Sequence, residues 1–137
     1  MGTPALTYRI TTAVTAFVLL SGGLAYLLGA EWAVAGVMAL GYPAYVVTLL
    51  GVWKVLGAVA VTVPGYPRLK EWAYAGIVFD LSGATVSHLA SGSPAFHPVV
   101  TTTLLVVAGV SWATRPASRR LVAPSTPRPI AEPAPVA

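Results

Sequence analysis

Apolar residues in this chain fall into long unbroken runs rather than into alternating or one-sided patterns. Four runs, at residues 8–28, 44–63, 70–90 and 97–114, approach the ~20 residues that a helix needs to cross the hydrocarbon core of a bilayer. Each is apolar nearly all round, which excludes the period-two alternation of a membrane barrel, and no backbone group can go unpaired in lipid. The expected fold is therefore all-α, a polytopic membrane four-helix bundle. Glycine and proline mark the breaks: Gly41-Tyr-Pro43, Pro64-Gly-Tyr-Pro67, and Gly92-Ser-Pro94 with Pro98. Residues 31–40 are apolar but short, and with Glu31 and Trp32 they read as a segment at the membrane surface or a re-entrant turn.

Composition agrees with the pattern. The 137 residues are 56% hydrophobic and 9% charged, against roughly a quarter charged in a soluble domain. The mean hydropathy is +0.77. An apolar run after Arg9 has the positive flank of a signal peptide, but it is long and leads through Gly29, Ala30 and Glu31 into further spans, so it reads as a retained first helix. Residues 1–115 then form the transmembrane domain. Residues 116–137, with Pro124, Pro127, Pro129, Pro133 and Pro135, read as a disordered Pro/Ala-rich cytoplasmic tail.

The net charge of +4 sits in short basic clusters near span ends, a signature of topology and not of nucleic-acid binding. Arg9, Arg68, Lys70, Arg115, Arg119 and Arg120 all fall on one side of a four-span chain. That side is expected to be the cytoplasm, with both termini there and the protein in the inner (plasma) membrane. Cysteine is absent, which excludes disulfides, thiolate metal sites and thiol–disulfide exchange.

Two charges lie deep in spans. Lys54 is nine residues before Val63, and Asp80 is ten residues after Lys70. Counted from the turn between them, both sit about 13–15 Å into the membrane on antiparallel helices. A lone charge there costs roughly 2.5–3.5 kcal/mol on insertion scales, so the two are expected to face inward and meet. The Asp80 face also carries Ala73, Gly76, Gly83, Ala84 and Ser87, which makes it the expected helix contact. Gly51 and Gly57 read as close-packing positions in the same way, as do Gly76 and Gly83.

Lys54 and Asp80 are the candidate catalytic residues, able to hold or move a proton. Ser87 and His88, nearer the outer end, and Glu71, at a helix start beside Trp72, are the candidate substrate-binding residues. The plainer reading of the pair is that it fixes helix register, and the plainer reading of Glu71 is that it anchors a helix end at the interface. His88 and His97 lie near one membrane face, but without a neighbouring carboxylate or a recurring ligand spacing they give no metal site.

The runs Gly41-Tyr-Pro-Ala-Tyr45, Gly51-Val-Trp-Lys-Val-Leu-Gly57, Pro64-Gly-Tyr-Pro-Arg-Leu-Lys-Glu-Trp-Ala-Tyr-Ala-Gly76, Phe79-Asp80 and Ser87-His88 occur in the order seen in the DoxX-like family of small bacterial integral membrane proteins, which the chain resembles. The resemblance covers three of the four spans. It implies a four-helix membrane bundle and a connection with quinone-linked oxidoreductases, through the thiosulfate:quinone oxidoreductase subunit that gave the family its name. A broader superfamily includes vitamin K epoxide reductase, from which this chain departs because the thiol pairs of that chemistry are missing.

The leading functional expectation is a hydrophobic small molecule, a quinone or an isoprenoid-like compound, bound in an interhelical pocket that holds the Lys/Asp pair. The protein would then be a quinone-linked oxidoreductase subunit. Alternatives are a non-redox acid/base enzyme, an isomerase or cyclase, acting on a lipid-soluble substrate, and a non-catalytic membrane scaffold or chaperone. The expected partners are the lipid bilayer and a second membrane protein or a second copy of the chain. A transporter is disfavoured, since four helices lack paired repeats.

Overall fold

Five helices follow one another in the computed structural model, which describes residues 2–121: α1 (Thr3–Leu27), α2 (Glu31–Met38), α3 (Ala44–Thr62), α4 (Pro67–Ala90) and α5 (Phe96–Ala113). A single 3-10 turn, Ala117–Arg119, follows α5. The chain breaks where glycine accepts a left-handed backbone and proline forbids helix continuation. Between α3 and α4, Gly65 (φ 74°) and Tyr66 (φ 50°) reverse the chain directly before Pro67 opens α4. The expected tail beyond residue 121 lies outside the described residues.

The four long helices form a square. α1 packs beside α3 and α5, α4 packs beside α3 and α5, and the backbones of the diagonal pairs stay apart. Cross-contacts fix every neighbouring pair as antiparallel: Leu19 beside Gly57 and Gly23 beside Gly51, Lys54 beside Asp80, Thr85 beside Thr101, and Thr12 beside Ser111. This is an up-down-up-down bundle. The short helix α2 bridges the ends of α1 and α3 and buries Ala33 and Val37.

Three of the long helices, α1, α3 and α5, are long and apolar enough to cross a membrane. The least hydrophobic, α4, carries Arg68, Lys70, Glu71 and Asp80. Its 24 residues reach about 36 Å, and it is wedged antiparallel between two spans, so it crosses the same layer. The bundle is large and apolar on the outside, as a lipid-facing protein is. Phe17, Trp53, Trp72, Phe79 and Phe96 are all between 64% and 80% exposed, while the core is built of Leu19, Ala58, Val61, Ile77, Leu81 and Ala108 with Tyr74.

Small residues bring α1 and α3 closest. A Cβ on Gly23 would sit 2.9 Å from the Gly51 carbonyl oxygen and 2.9 Å from Val55 Cγ2, and one on Gly51 would sit 2.9 Å from Leu27 Cγ. With no hydrophobic drive in lipid, this close approach supplies the dispersion contact that joins the two helices. Gly51 thus packs as expected, and Gly57 lies at ordinary contact distance from Leu19. Gly76 and Gly83 do not: a Cβ at either would meet nothing within 4 Å. Gly76 lines a cavity and Gly83 is exposed, so neither draws a partner against α4, which corrects the close-packing expectation for these two positions.

Candidate functional site

The α3–α4 turn sets the site. Lys70, one turn into α4, has no exposed surface, and its Nζ donates to the Ala60 oxygen at 2.9 Å, the Val61 oxygen at 3.2 Å and the Val63 oxygen. Three ammonium protons thus meet three carbonyls left open at the C-terminus of α3. The clasp fixes the two helices at this end and sets the register at which they run side by side.

Further along, Lys54 Nζ donates to Asp80 Oδ2, joining the two helices near their middles. The pair is not sealed: its side chains keep 16% and 20% of their surface. Behind it the Lys54 stem lies over Gly22 and Gly23 of α1, and the Tyr26 ring centroid is 6.0 Å from Nζ. In front, α3 and α4 leave a cavity of about 510 Å³ that both charged residues line. Leu19 forms its floor from α1, Gly57 and Gly76 widen it, and Trp53, Trp72 and Phe79 stand exposed around its rim. The result is an apolar groove that runs from near the α3–α4 turn to mid-bundle, with one ammonium and one carboxylate in its wall at the deeper end.

The other three candidates lie elsewhere. Glu71 sits near the start of α4, where its Oε1 accepts from Arg115 Nη2 at 2.7 Å and its Oε2 from Trp112 Nε1 at 2.8 Å. Ser87 and His88 lie at the opposite end of α4. Ser87 Oγ is 2.7 Å from the Tyr42 hydroxyl, and His88 Nδ1 is 3.1 Å from Ser93 Oγ, with its ring stacked on His97 at 4.9 Å. None of the three lines the groove. The structure therefore brings together Lys54 and Asp80 and separates them from Glu71 at one end and from Ser87 and His88 at the other. Among the described residues no group of three or more His, Cys, Asp or Glu side chains gathers to hold a metal.

Sequence reasoning missed the groove's aromatic rim, the role of Tyr26 and a buried hydroxyl cluster in which Ser111 Oγ lies 2.7 Å from both Thr12 Oγ1 and the Tyr74 hydroxyl. Trp53 next to Lys54 and Phe79 next to Asp80 were the available signal. An aromatic adjacent to a buried charge lies on the neighbouring flank of the helix, where it frames the approach to that charge.

The model of one family, described as the DoxX-like family, matches residues 10–111. The chain belongs to the DoxX-like family. The matched segment runs from within α1 through all but the end of α5 and includes every residue that lines the groove, Lys54 and Asp80 among them. The arginines that follow α5 lie beyond it. Comparison with curated proteins and with solved structures found no match. Family membership and the apolar helices together make this a multi-pass membrane protein.

Proposed function

We propose that the α3–α4 groove binds a hydrophobic small molecule of quinone or isoprenoid-like type, whose polar end meets Lys54 and Asp80. The single observation behind this reading is an ion pair that remains partly open to an apolar groove in the middle of a membrane bundle. Pairs that only fix register gain nothing from an opening of this kind, whereas a ligand site needs it. In such low-dielectric surroundings an ammonium hydrogen bond to a carbonyl oxygen is stronger than in water, and a neighbouring carboxylate can take or return a proton. In the redox form of this reading, the protein is an accessory subunit that holds a quinone. Electrons come from a partner oxidoreductase, and Lys54 and Asp80 handle the protons.

The same reading places the protein in the plasma membrane with both termini in the cytoplasm. Its support is the gathering of Arg9, Arg68, Lys70, Arg115, Arg119 and Arg120 at one end of the bundle. The functional test is a titration of the protein in lipid nanodiscs with a short-chain menaquinone analogue, read by quenching of the rim tryptophans. Saturable quenching is expected, weakened at least tenfold in Lys54→Met and Asp80→Asn. Undiminished binding by both variants, with helicity intact, removes the reading.

A further inference from the structure

At the end of the bundle that holds the basic residues, cationic side chains outnumber carboxylates among the described residues. Six basic side chains, Arg9, Arg68, Lys70, Arg115, Arg119 and Arg120, face one carboxylate there among the described residues, Glu71. Glu71 is already used on both oxygens by Arg115 and Trp112. The helix carbonyls are used as well. Lys70 takes those at the end of α3, Arg115 Nε takes the Trp112 oxygen at 2.9 Å, and Arg120 takes the Ala113 oxygen at 2.8 Å together with the Arg115 oxygen. Arg119 Nη1 donates to the Tyr8 hydroxyl at 2.9 Å and lies over that ring. One donor is still left over: Arg115 is only 3% exposed, and its Nη1 is buried without an acceptor.

These contacts hold the guanidinium groups of Arg119 and Arg120 in place without neutralising them, because every partner is a carbonyl or a hydroxyl. Helix dipoles give no relief either. Two helix N-termini and two C-termini meet at this end, so their partial charges oppose one another. Trp72 and Trp112 stand exposed at the same height, the level at which indoles sit among lipid headgroups. The unmet requirement is an anion rich in acceptor oxygens, presented at the membrane interface.

We infer that this end is a binding site for the phosphodiester headgroup of an anionic phospholipid, held between the fixed guanidinium groups of Arg119 and Arg120 and the exposed Arg68. The site lies about two to three helical turns from Lys54, and does not depend on what the groove binds. Clustered basic side chains at an interface draw anionic lipid at about fivefold in affinity per charge.

The test is native mass spectrometry of the protein released from nanodiscs of phosphatidylcholine doped with phosphatidylglycerol. Wild type is expected to retain phosphatidylglycerol in preference. Arg119→Gln/Arg120→Gln is expected to lower that preference about thirtyfold, and Arg119→Lys/Arg120→Lys to preserve most of it. Arg68→Gln alters an exposed side chain that the fold does not use, so it keeps the test valid if the double variant fails to fold; a loss of about fivefold is expected. Equal retention by Arg68→Gln and wild type overturns the inference, as does displacement of the lipid by millimolar inorganic phosphate, which assigns the site to a free anion.

Discussion

α3 meets α1 on one side and α4 on the other, and the two contacts are built in opposite ways. Against α1 it presents Gly51, so that backbone nearly touches backbone and no space remains. Against α4 it borders a cavity lined by Lys54, Trp53 and Leu56, and the two helices are joined across it by one ion pair and the Lys70 clasp. Glycines occur at both interfaces and do different work. Where the facing residue is also small, as Gly23 faces Gly51, the backbones close up; where the neighbours are long or aromatic, as around Gly76, the missing side chain becomes volume. The comparison shows that a small residue in a membrane helix creates contact or cavity according to what stands opposite it.

Breaking the tight side should cost most. Gly23→Leu forces a side chain against the Gly51 carbonyl and Val55, and a loss of about 3 kcal/mol or more is expected, seen as a lower midpoint in detergent-titrated unfolding. On the open side, Asp80→Asn leaves the Lys54 ammonium without its counter-charge, and about 2–3 kcal/mol should be lost in the same assay. Pairing it with Lys54→Met should restore most of that stability while leaving the groove without a polar anchor. If the double variant is no more stable than Asp80→Asn, the ion pair is not what joins α3 to α4.

A smaller effect is expected in the core, where Ser111→Ala removes the shared partner of Thr12 and Tyr74 at a cost of about 1 kcal/mol. The smallest effect has the opposite sign. Gly76→Ala adds a methyl group where nothing stands within 4 Å, and should stabilise the helix by about 0.5–1 kcal/mol. Gly76→Leu would fill the groove, and should lower quinone-analogue binding while leaving the fold intact. Destabilisation by Gly76→Ala comparable to that by Gly23→Leu would erase the distinction between the two interfaces.

The helices were legible in the chain because membrane spans are written in length and in Gly-Pro punctuation. The encounter of Lys54 with Asp80 was legible because a tight turn lets residues be counted off on either side of it. Gly76 and Gly83 were read as packing positions because sequence reports that a residue is small without reporting its neighbour on another helix. Glu71 illustrates the same limit. Its partners Trp112 and Arg115 lie 41 and 44 residues away, across an interface that only the closed ring of helices creates. Lys70 looked like one more charge marking a cytoplasmic loop, since a lysine capping three carbonyls has the same sequence signature as one in water. A pocket holding Lys54 and Asp80 was expected, but its extent and its aromatic rim were not legible, because they depend on how far α3 and α4 diverge once α1 has claimed the other flank of α3.

The turn from Pro64 to Pro67, clasped by Lys70, bears on how such a chain can enter a membrane at all. Either helix alone would carry an uncompensated charge into the hydrocarbon layer, whereas the folded hairpin carries none at that depth. The smallest portion of this protein that can leave water cheaply is therefore two helices long, and synthesis must have passed Asp80 before Lys54 can settle in lipid.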